Sequence, residues 1–234
     1  MGRTCQDRRV RKLLVAVVVL LVLVAAADRV AVFAADHVVA SRIRTTQQLT
    51  SDPTVDIRGF PFLTQFASGR YAHVTATASE VPVAETGLKL SRLDLSFRDV
   101  TASRDFRTFT ARAGRATAVI SYTDLGAALG VTLGYAGDGR IRVTKTFTVG
   151  GATLKPSATV TPRLSGEVLT FADATINGVG ELPAAVQAVL RQAFGKRLDL
   201  SGLPFDVRVK RLAVSDAGIT LTLSGTGLRY TGSS

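Results

Sequence analysis

Residues that commonly carry out catalysis are scarce in this chain. It contains two His residues, His37 and His73, and a single Cys, Cys5. Nucleophilic catalysis needs a Ser, Cys or Thr beside a base, and no Ser lies in a G-x-S-x-G motif. The aspartates between residues 94 and 105 alternate with arginines, so we expect them to form ion pairs on a solvated face. The sequence therefore predicts a protein that is not an enzyme and that has no metal site and no cofactor.

The shortage of catalytic residues leaves one kind of enzyme site open, whereas the single Cys excludes cysteine-based sites. A hydrolase or transferase with an unrecognised active site would have to depend on His37 or His73, and loss of activity on changing either one would support it. A disulfide-linked fold or a zinc ribbon is excluded, because one Cys supplies neither a disulfide nor a set of metal ligands.

The chain is strongly basic, with a net charge of +11 over 234 residues. Five basic residues and one acidic residue fall within residues 1–27, so residues 28–234 still carry a net charge of +7. A basic surplus favours anionic partners, which include nucleic acid, acidic lipid headgroups and anionic wall polymers. Charge alone does not choose among them.

The N-terminal segment indicates where the protein works. A basic stretch that ends at Lys12 is followed by fifteen consecutive apolar residues, Leu13–Ala27, with small residues at Ala25 and Ala27. This is the layout of an export signal. A helix of that length spans about 22 Å, which is short of the hydrocarbon core of a membrane, yet the apolar character resumes after Arg29. Residues 1–27 are therefore predicted to be either a cleaved signal peptide or a retained membrane anchor.

Either alternative places the rest of the chain, residues 28–234, outside the cytoplasm as one domain. An extracytoplasmic location, in the cell envelope at the outer face of the cytoplasmic membrane, argues against nucleic acid as a partner. Lipid headgroups and envelope polymers remain. The sequence names no protein partner.

Periodicity predicts three helices beyond the apolar run. The first, Asp28–Leu49, lacks Pro and Gly and carries apolar residues at three- and four-residue spacing up to Pro53, which stops helical geometry. A short helix capped by Ser121 or Thr123 is predicted to end at Leu129. A second long helix is predicted over Ala184–Leu198.

The remaining chain predicts antiparallel strands. These are Val55–Arg58, Arg70–Ala78, Arg140–Val149 and a hairpin of Val207–Val214 with Ile219–Leu223. A parity change between Leu90 and Leu93 predicts a bulge or turn, and Gly114 is the expected turn within residues 106–120. Many antiparallel strands with two long amphipathic helices make the fold class α+β.

Aliphatic residues dominate the apolar content, with 6% aromatic residues and no Trp. Amphipathic helices lying on a sheet with one apolar face are suited to enclosing an apolar ligand. The same faces could also fill one another as a dry core. The sequence leaves a hollow interior and a packed one open.

Several segments together resemble a known family. They are the helix ADRVAVFAADHVVASRI over residues 27–43, the run Gly59–Gln65 (GFPFLTQ), the helix start at Tyr122–Leu125 and the segment Gly202–Phe205. In this order they resemble the actinobacterial LmeA-like family of envelope lipid-binding proteins. The resemblance implies a phospholipid-binding protein with a tubular lipid-binding (TULIP-like) fold, in which a curved antiparallel sheet wraps the helices. It also implies a role in envelope lipid or lipoglycan maintenance.

The candidate site residues are apolar side chains at or next to two similar junctions, GFPF at residues 59–62 and GLPF at residues 202–205, and on the predicted second long helix. Phe60, Phe62 and Leu63 are predicted to form the wall or mouth of a phospholipid pocket, with Phe194 and Phe205 as further candidates. The alternative function is an envelope scaffold that holds anionic wall polymers through the basic surface. Ionic strength separates the two, because salt weakens surface-charge binding but not acyl-chain burial.

Overall fold

A computed structural model of the chain describes residues 4–83, 87–105, 107–149, 152–166, 168–177, 197–199 and 208–231. The described helices are α1 (Thr4–Gln47), α2 (Phe62–Ser68) and α3 (Tyr122–Leu129). The described strands are β1 (Thr54–Arg58), β2 (Arg70–Pro82), β3 (Lys89–Ala102), β4 (Thr108–Ile120), β5 (Thr132–Gly137), β6 (Arg140–Thr144), β7 (Phe147–Val149), β8 (Ala152–Leu154), β9 (Ser157–Ser165), β10 (Val168–Asn177), β11 (Leu198–Asp199), β12 (Arg208–Ser215) and β13 (Gly218–Thr231).

The described strands form antiparallel sheets. One sheet has six strands in the order β1-β2-β3-β4-β13-β12, and a second has five strands in the order β11-β10-β9-β6-β5. Strands β7 and β8 pair separately. Consecutive strands β1 to β4 pair in sequence, and β13 then returns to lie beside β4. The prediction of an α+β protein with antiparallel sheets is confirmed.

Helix α1 joins two segments that the sequence analysis treated separately. It runs without interruption from the basic N-terminal stretch through the apolar run and the amphipathic segment, a length of 44 residues or about 66 Å. It ends at Gln47, close to the predicted end, and Gln48 has φ +51°. The amphipathic prediction is confirmed, because the predicted apolar positions pack on the inner face of the six-stranded sheet; they are Val32, Ala35, Val39 and Ile43.

The bulge or turn predicted between Leu90 and Leu93 is wrong, because β3 is continuous there and its pairing with β2 keeps one register, although one pair is missing. Leu90 and Leu93 both pack in the core, and the pair that would join Glu80 to Ser91 is missing while pairing continues in one register on both sides. Glu80 on β2 has φ +53°, and Asp99 on β3 has φ +50°. Such irregularities bend and coil a sheet, so its apolar face stays turned inward along the strands.

Two further predicted local structures are wrong. Gly114 is not a turn but lies inside β4, where a Cβ would come within 2.3 Å of Leu228 Cδ1, so glycine is needed there for close packing. The predicted strand Arg140–Val149 is two strands in different sheets, because the chain leaves the five-stranded sheet at Lys145 and Thr146.

Other predictions agree with the structure or fall outside it. Ser121 caps α3 by accepting a hydrogen bond from the Asp124 backbone N–H, and the C-terminal hairpin forms as β12 and β13. The predicted helix Ala184–Leu198 lies outside the described residues except at its last positions, where Leu198 belongs to β11. The short helix α2 was not predicted.

The described apolar residues form two clusters. The packed core lies between the two large sheets and α3, and its members with no measurable exposure include Ile120, Leu125, Ile141, Val160, Leu169 and Ile219. The second group, here called the α1 cluster, joins α1 and α2 to the six-stranded sheet. Its buried members are Ala40, Val55, Ile57, Phe62, Tyr71, Phe97, Val100, Ala111 and Leu228.

Candidate functional site

A cavity of about 630 Å³ lies between the C-terminal part of α1 and the inner face of strands β1 to β3. Ligand pockets commonly have volumes of roughly 300–1,000 Å³. Strands β2 and β3 supply the largest share of the wall, through Tyr71, Val74, Ala76, Ala78, Val81, Leu93, Leu95, Phe97, Val100 and Ala102. Helix α1 covers it with residues that include Val38, Val39, Arg42, Ile43 and Thr46.

The cavity wall is apolar because of the pairing of β2 with β3. Val74, Ala76 and Ala78 lie opposite Phe97, Leu95 and Leu93, so all six side chains share the inner face. Two of the three β2 positions are alanines, which leave space that larger side chains would fill. Tyr71 also lines the cavity, and burial raises the pKa of its phenol. The wall thus favours uncharged, apolar groups.

Two aspartates eight residues apart on α1 fasten it to the rest of the domain. Asp36 Oδ1 accepts a hydrogen bond from Ile57 N at 3.1 Å, on the edge strand β1. Asp28 Oδ1 accepts one from Leu63 N at 2.8 Å, in the first turn of α2, while Arg29 pairs with the other oxygen of Asp28 at 2.6 Å. Eight residues are about two helical turns, so both carboxylates lie on one side of α1. The sequence analysis did not identify these aspartates, although their spacing in a helix otherwise rich in Ala and Val was a usable signal.

The polar part of the cavity lining includes two arginines that both contact Asp105, one at its backbone oxygen and one at its carboxylate. Arg42 Nη1 donates to the backbone oxygen of Asp105 at 3.2 Å, and Arg107 Nε lies 3.4 Å from Asp105 Oδ2. Both arginines line the cavity and are exposed to solvent, so they lie at its opening. Hydrogen bonds from Ser103 and from the Arg107 backbone hold the pKa of Asp105 below its usual value. Guanidinium groups in this position can bind a phosphate.

The predicted site residues within the described chain are not among the residues that line the cavity. Phe62 is buried in the α1 cluster with its ring centroid 6.3 Å from that of Tyr71, so it supports a wall residue from behind. Phe60 and Leu63 are exposed and are not among the lining residues. The other two candidates, Phe194 and Phe205, lie outside the described residues. That these five residues bind lipid stays a prediction.

The two histidines occupy surface positions. His37 lies on α1 with its ring centroid 4.4 Å from that of Phe33. His73 Nε2 is 2.9 Å from Ser96 Oγ on the outer face of the six-stranded sheet, opposite to the cavity. A catalytic Ser–His pair also needs backbone N–H groups that can stabilise an oxyanion. The backbone of β3 at Ser96 is paired with β2 and β4, so this part of the strand does not offer such a site. Within the described residues, no group of three or more His, Cys, Asp or Glu side chains could hold a metal ion.

Helix α1 also carries a stretch that, by length and composition, could cross a membrane. The apolar side chains between Leu14 and Val24 are almost all exposed, and the candidate stretch as a whole packs little against the rest of the chain. A signal sequence near an N-terminus has the same properties, so the helix is compatible with a signal peptide or with an anchor.

Comparison with known proteins gives one match. The sequence model of a family described as LmeA-like phospholipid-binding matches residues 26–224, which is more than four-fifths of the chain. No match was found among curated proteins or among solved structures. The matched region begins just before Asp28 and includes α2, α3 and every strand that lines the cavity.

Proposed function

Because the chain belongs to the LmeA-like phospholipid-binding family, we propose that the cavity beneath α1 holds the acyl chains of a phospholipid. The observation that carries this proposal is the apolar cavity of about 630 Å³ itself. Among the described residues, its wall offers aliphatic and aromatic side chains and no acidic group, which suits hydrocarbon better than a polar ligand.

Burial of an acyl chain supplies the binding energy in this proposal. Each buried methylene contributes about 0.8 kcal/mol, so a chain of a dozen carbons offsets a large part of the entropic cost of binding. The headgroup phosphate binds at the opening, between the guanidinium groups of Arg42 and Arg107. Asp105 holds these two arginines close together in the absence of the phosphate.

The proposed location is supported by the apolar part of α1, which is compatible with a signal peptide or an anchor. We propose that the domain works in the cell envelope, at the outer face of the cytoplasmic membrane, with residues 1–27 acting as a signal peptide or as an anchor. There it binds phospholipid without catalysis. Because the cavity is open to solvent, the domain is also suited to transfer phospholipid between membranes. Maintenance of envelope lipids or lipoglycans is the role that this activity would serve. The TULIP-like arrangement remains part of the same proposal.

The test compares two neighbouring residues of β2 in the full chain. Ala76 lines the cavity, whereas Thr75 lies on the opposite face of the same strand. Ala76→Phe fills the cavity and should lower the amount of phospholipid that mass spectrometry finds in an organic extract of the purified protein. Thr75→Phe adds the same ring outside the cavity and should leave that amount unchanged.

The control removes the contribution of lipid bound around α1. Any lipid on the apolar run is present in both variants and in the parent chain, so the difference between Ala76→Phe and Thr75→Phe reports the cavity alone. Equal phospholipid content in folded preparations of all three proteins would refute the proposal.

A second candidate function rests on the outer face of the six-stranded sheet. Arg208, Ser224, Arg115 and Ser96 are successive cross-strand partners there, which forms a row of cations and hydroxyls across four strands. Such a row suits an anionic wall polymer. The two functions separate in salt, because polymer binding on an exposed face should weaken steeply between low and high ionic strength, and Arg115→Gln should weaken it further. Retention of phospholipid should respond to neither change.

A further inference from the structure

A group of exposed apolar side chains surrounds the point where the apolar run of α1 ends. Phe60 is 68% exposed and Phe33 is 66% exposed, and Leu63 and Phe66 on α2 are also exposed. Arg29 joins them, with its guanidinium carbon 5.4 Å from the centroid of the Phe60 ring. These five residues are here called the junction patch. Isolated exposed apolar residues are ordinary, but a group of large ones around a single point marks an interaction surface.

The hydrogen bond of Asp28 fixes the height of the patch along α1. Because Asp28 accepts from Leu63 N, the start of α2 lies level with the residue that directly follows the apolar run. Phe60 and Leu63 therefore lie beside the end of that run rather than farther along the helix. Phe33 is one turn beyond Arg29 on the same side of α1. The patch is thus continuous with an apolar surface that is suited to the interior of a membrane.

The charges in the junction patch favour a lipid bilayer over water as the surroundings of these side chains. Asp28 is 1% exposed and is paired with Arg29, so its carboxylate is shielded. Arg29 is 55% exposed and also donates to the Gly59 backbone oxygen at 3.4 Å, which leaves part of its guanidinium open to an anion. Aromatic and aliphatic side chains with an arginine beside them are typical of segments that lie in the headgroup region of a bilayer. The net charge of +7 on residues 28–234 adds attraction to acidic headgroups.

We propose that the junction patch is a membrane-docking surface, which inserts into the headgroup and upper acyl region of an anionic phospholipid bilayer and lays α2 on that bilayer. This deepens the proposed function, and it rests on that function for the choice of a phospholipid membrane as the partner. All five patch residues follow Ala27, so the surface is the same with a retained or a cleaved N-terminal segment. Docking fixes the side of the domain that faces the lipid supply.

The absence of Trp from the sequence allows a direct test with the full chain. Phe60→Trp places a single fluorescent reporter in the patch, and Tyr135→Trp places one at an exposed position on β5, in the other large sheet. Each protein is reconstituted into vesicles of phosphatidylcholine and phosphatidylglycerol, with and without bromine on the acyl chains. We expect a blue-shifted emission and strong bromine quenching for Phe60→Trp, and neither for Tyr135→Trp. Leu63→Asp in the Phe60→Trp protein should reduce the quenching.

Three results would overturn the docking surface. Emission from Phe60→Trp that matches the water-exposed control would place the patch in solvent. A blue shift without bromine quenching would mean that a second copy of the chain covers the patch. Equal quenching of both reporters would mean that the domain has no fixed orientation on the bilayer. The phospholipid retained by the same proteins before reconstitution is measured separately, so failure of docking and failure of the cavity proposal are distinguishable.

Discussion

The packed core and the cavity beneath α1 are built from the same aliphatic residue types, yet one is filled and the other is hollow. In the packed core, Ile141, Val160 and Leu169 have no measurable exposure. On the cavity side, Val74 and Leu95 point inward from the six-stranded sheet and remain only partly buried. Composition therefore does not decide whether an apolar face is filled. The element that covers the face decides it.

The two covering elements differ in how they are held. Helix α3 packs through Leu125, which is fully buried between the sheets. Helix α1 packs on the sheet through partly buried residues and is also held by two hydrogen bonds, which Asp36 accepts from Ile57 N on the edge strand β1 and Asp28 accepts from Leu63 N on α2. Opposite it, Ala76 supplies too little volume to reach the helix. The cavity thus results from two features: α1 is hydrogen-bonded to the edge strand β1, and small residues such as Ala76 lie on the strand surface beneath it.

The largest expected effect is the loss of stability when the same Leu→Ala substitution is made in the packed core and at the cavity. Leu125→Ala leaves a void in a filled core and should lower the free energy of unfolding by about 2–5 kcal/mol. Leu95→Ala removes the same atoms beside an existing cavity, so its cost should fall clearly below that of Leu125→Ala. Urea denaturation of both proteins, with the parent chain as reference, measures the difference. Equal losses would mean that the cavity is closed in solution.

Small-to-large substitutions test the same difference between the packed core and the cavity, with a smaller expected effect on stability. Ala118 lies in the packed core and Ala76 lines the cavity, and both are alanines on the inner face of the same sheet. Ala118→Phe should destabilise the protein by about 1–3 kcal/mol because overpacking forces neighbours to move. Ala76→Phe should cost little, since its ring enters empty space. Thermal unfolding of the two variants side by side decides the matter, and a large loss for Ala76→Phe would contradict the hollow interior.

The sequence predicts the elements of both regions better than the difference between them. Apolar periodicity predicts the amphipathic part of α1 and the C-terminal hairpin, because burial on one face leaves a pattern in one segment. It misses α2, whose start depends on Asp28, a residue 35 positions away. It also misplaces a turn at Gly114, where the constraint is contact with Leu228 on a distant strand.

The sequence predicted the class of ligand, a phospholipid, but it did not predict the residues that line the cavity. The resemblance carried by GFPFLTQ predicted phospholipid binding, and the family match agrees with it. The cavity wall, by contrast, comes from β2 and β3, whose alternation between small and large residues becomes a cavity only when the strands pair in register. Arg42 contacts Asp105, which lies 63 residues further along the chain and also contacts Arg107. Contacts at such separations leave no local pattern in a single sequence.

The opening of the cavity provides the next prediction, again with a control from the filled side of the molecule. Arg42→Gln combined with Arg107→Gln should weaken phospholipid binding roughly tenfold or more, because hydrogen bonds to a charged group contribute about 1.5–3 kcal/mol. Arg140→Gln removes another exposed guanidinium, next to the packed core, and should leave affinity unchanged. Titration with phospholipid in mixed micelles gives the affinities. Equal affinity for the two preparations would place the headgroup elsewhere.

The smallest effect concerns two tyrosines, one in each region, whose pKa values are both raised by burial. Tyr71 lines the cavity, whereas Tyr122 packs against the filled core and donates a hydrogen bond to the Ser215 backbone oxygen. A raised pKa stabilises the folded state fully below the unfolded value of about 10, and this stabilisation is lost as pH rises through the folded pKa. Acyl chains in the cavity should desolvate Tyr71 further and raise its pKa again, while Tyr122 should not respond. Ultraviolet titration of Tyr71→Phe and Tyr122→Phe, with and without phospholipid, assigns each transition. By linkage, lipid affinity should then fall in alkaline solution as Tyr71 ionises, so a ligand-independent Tyr71 would argue that the hydrocarbon lies elsewhere.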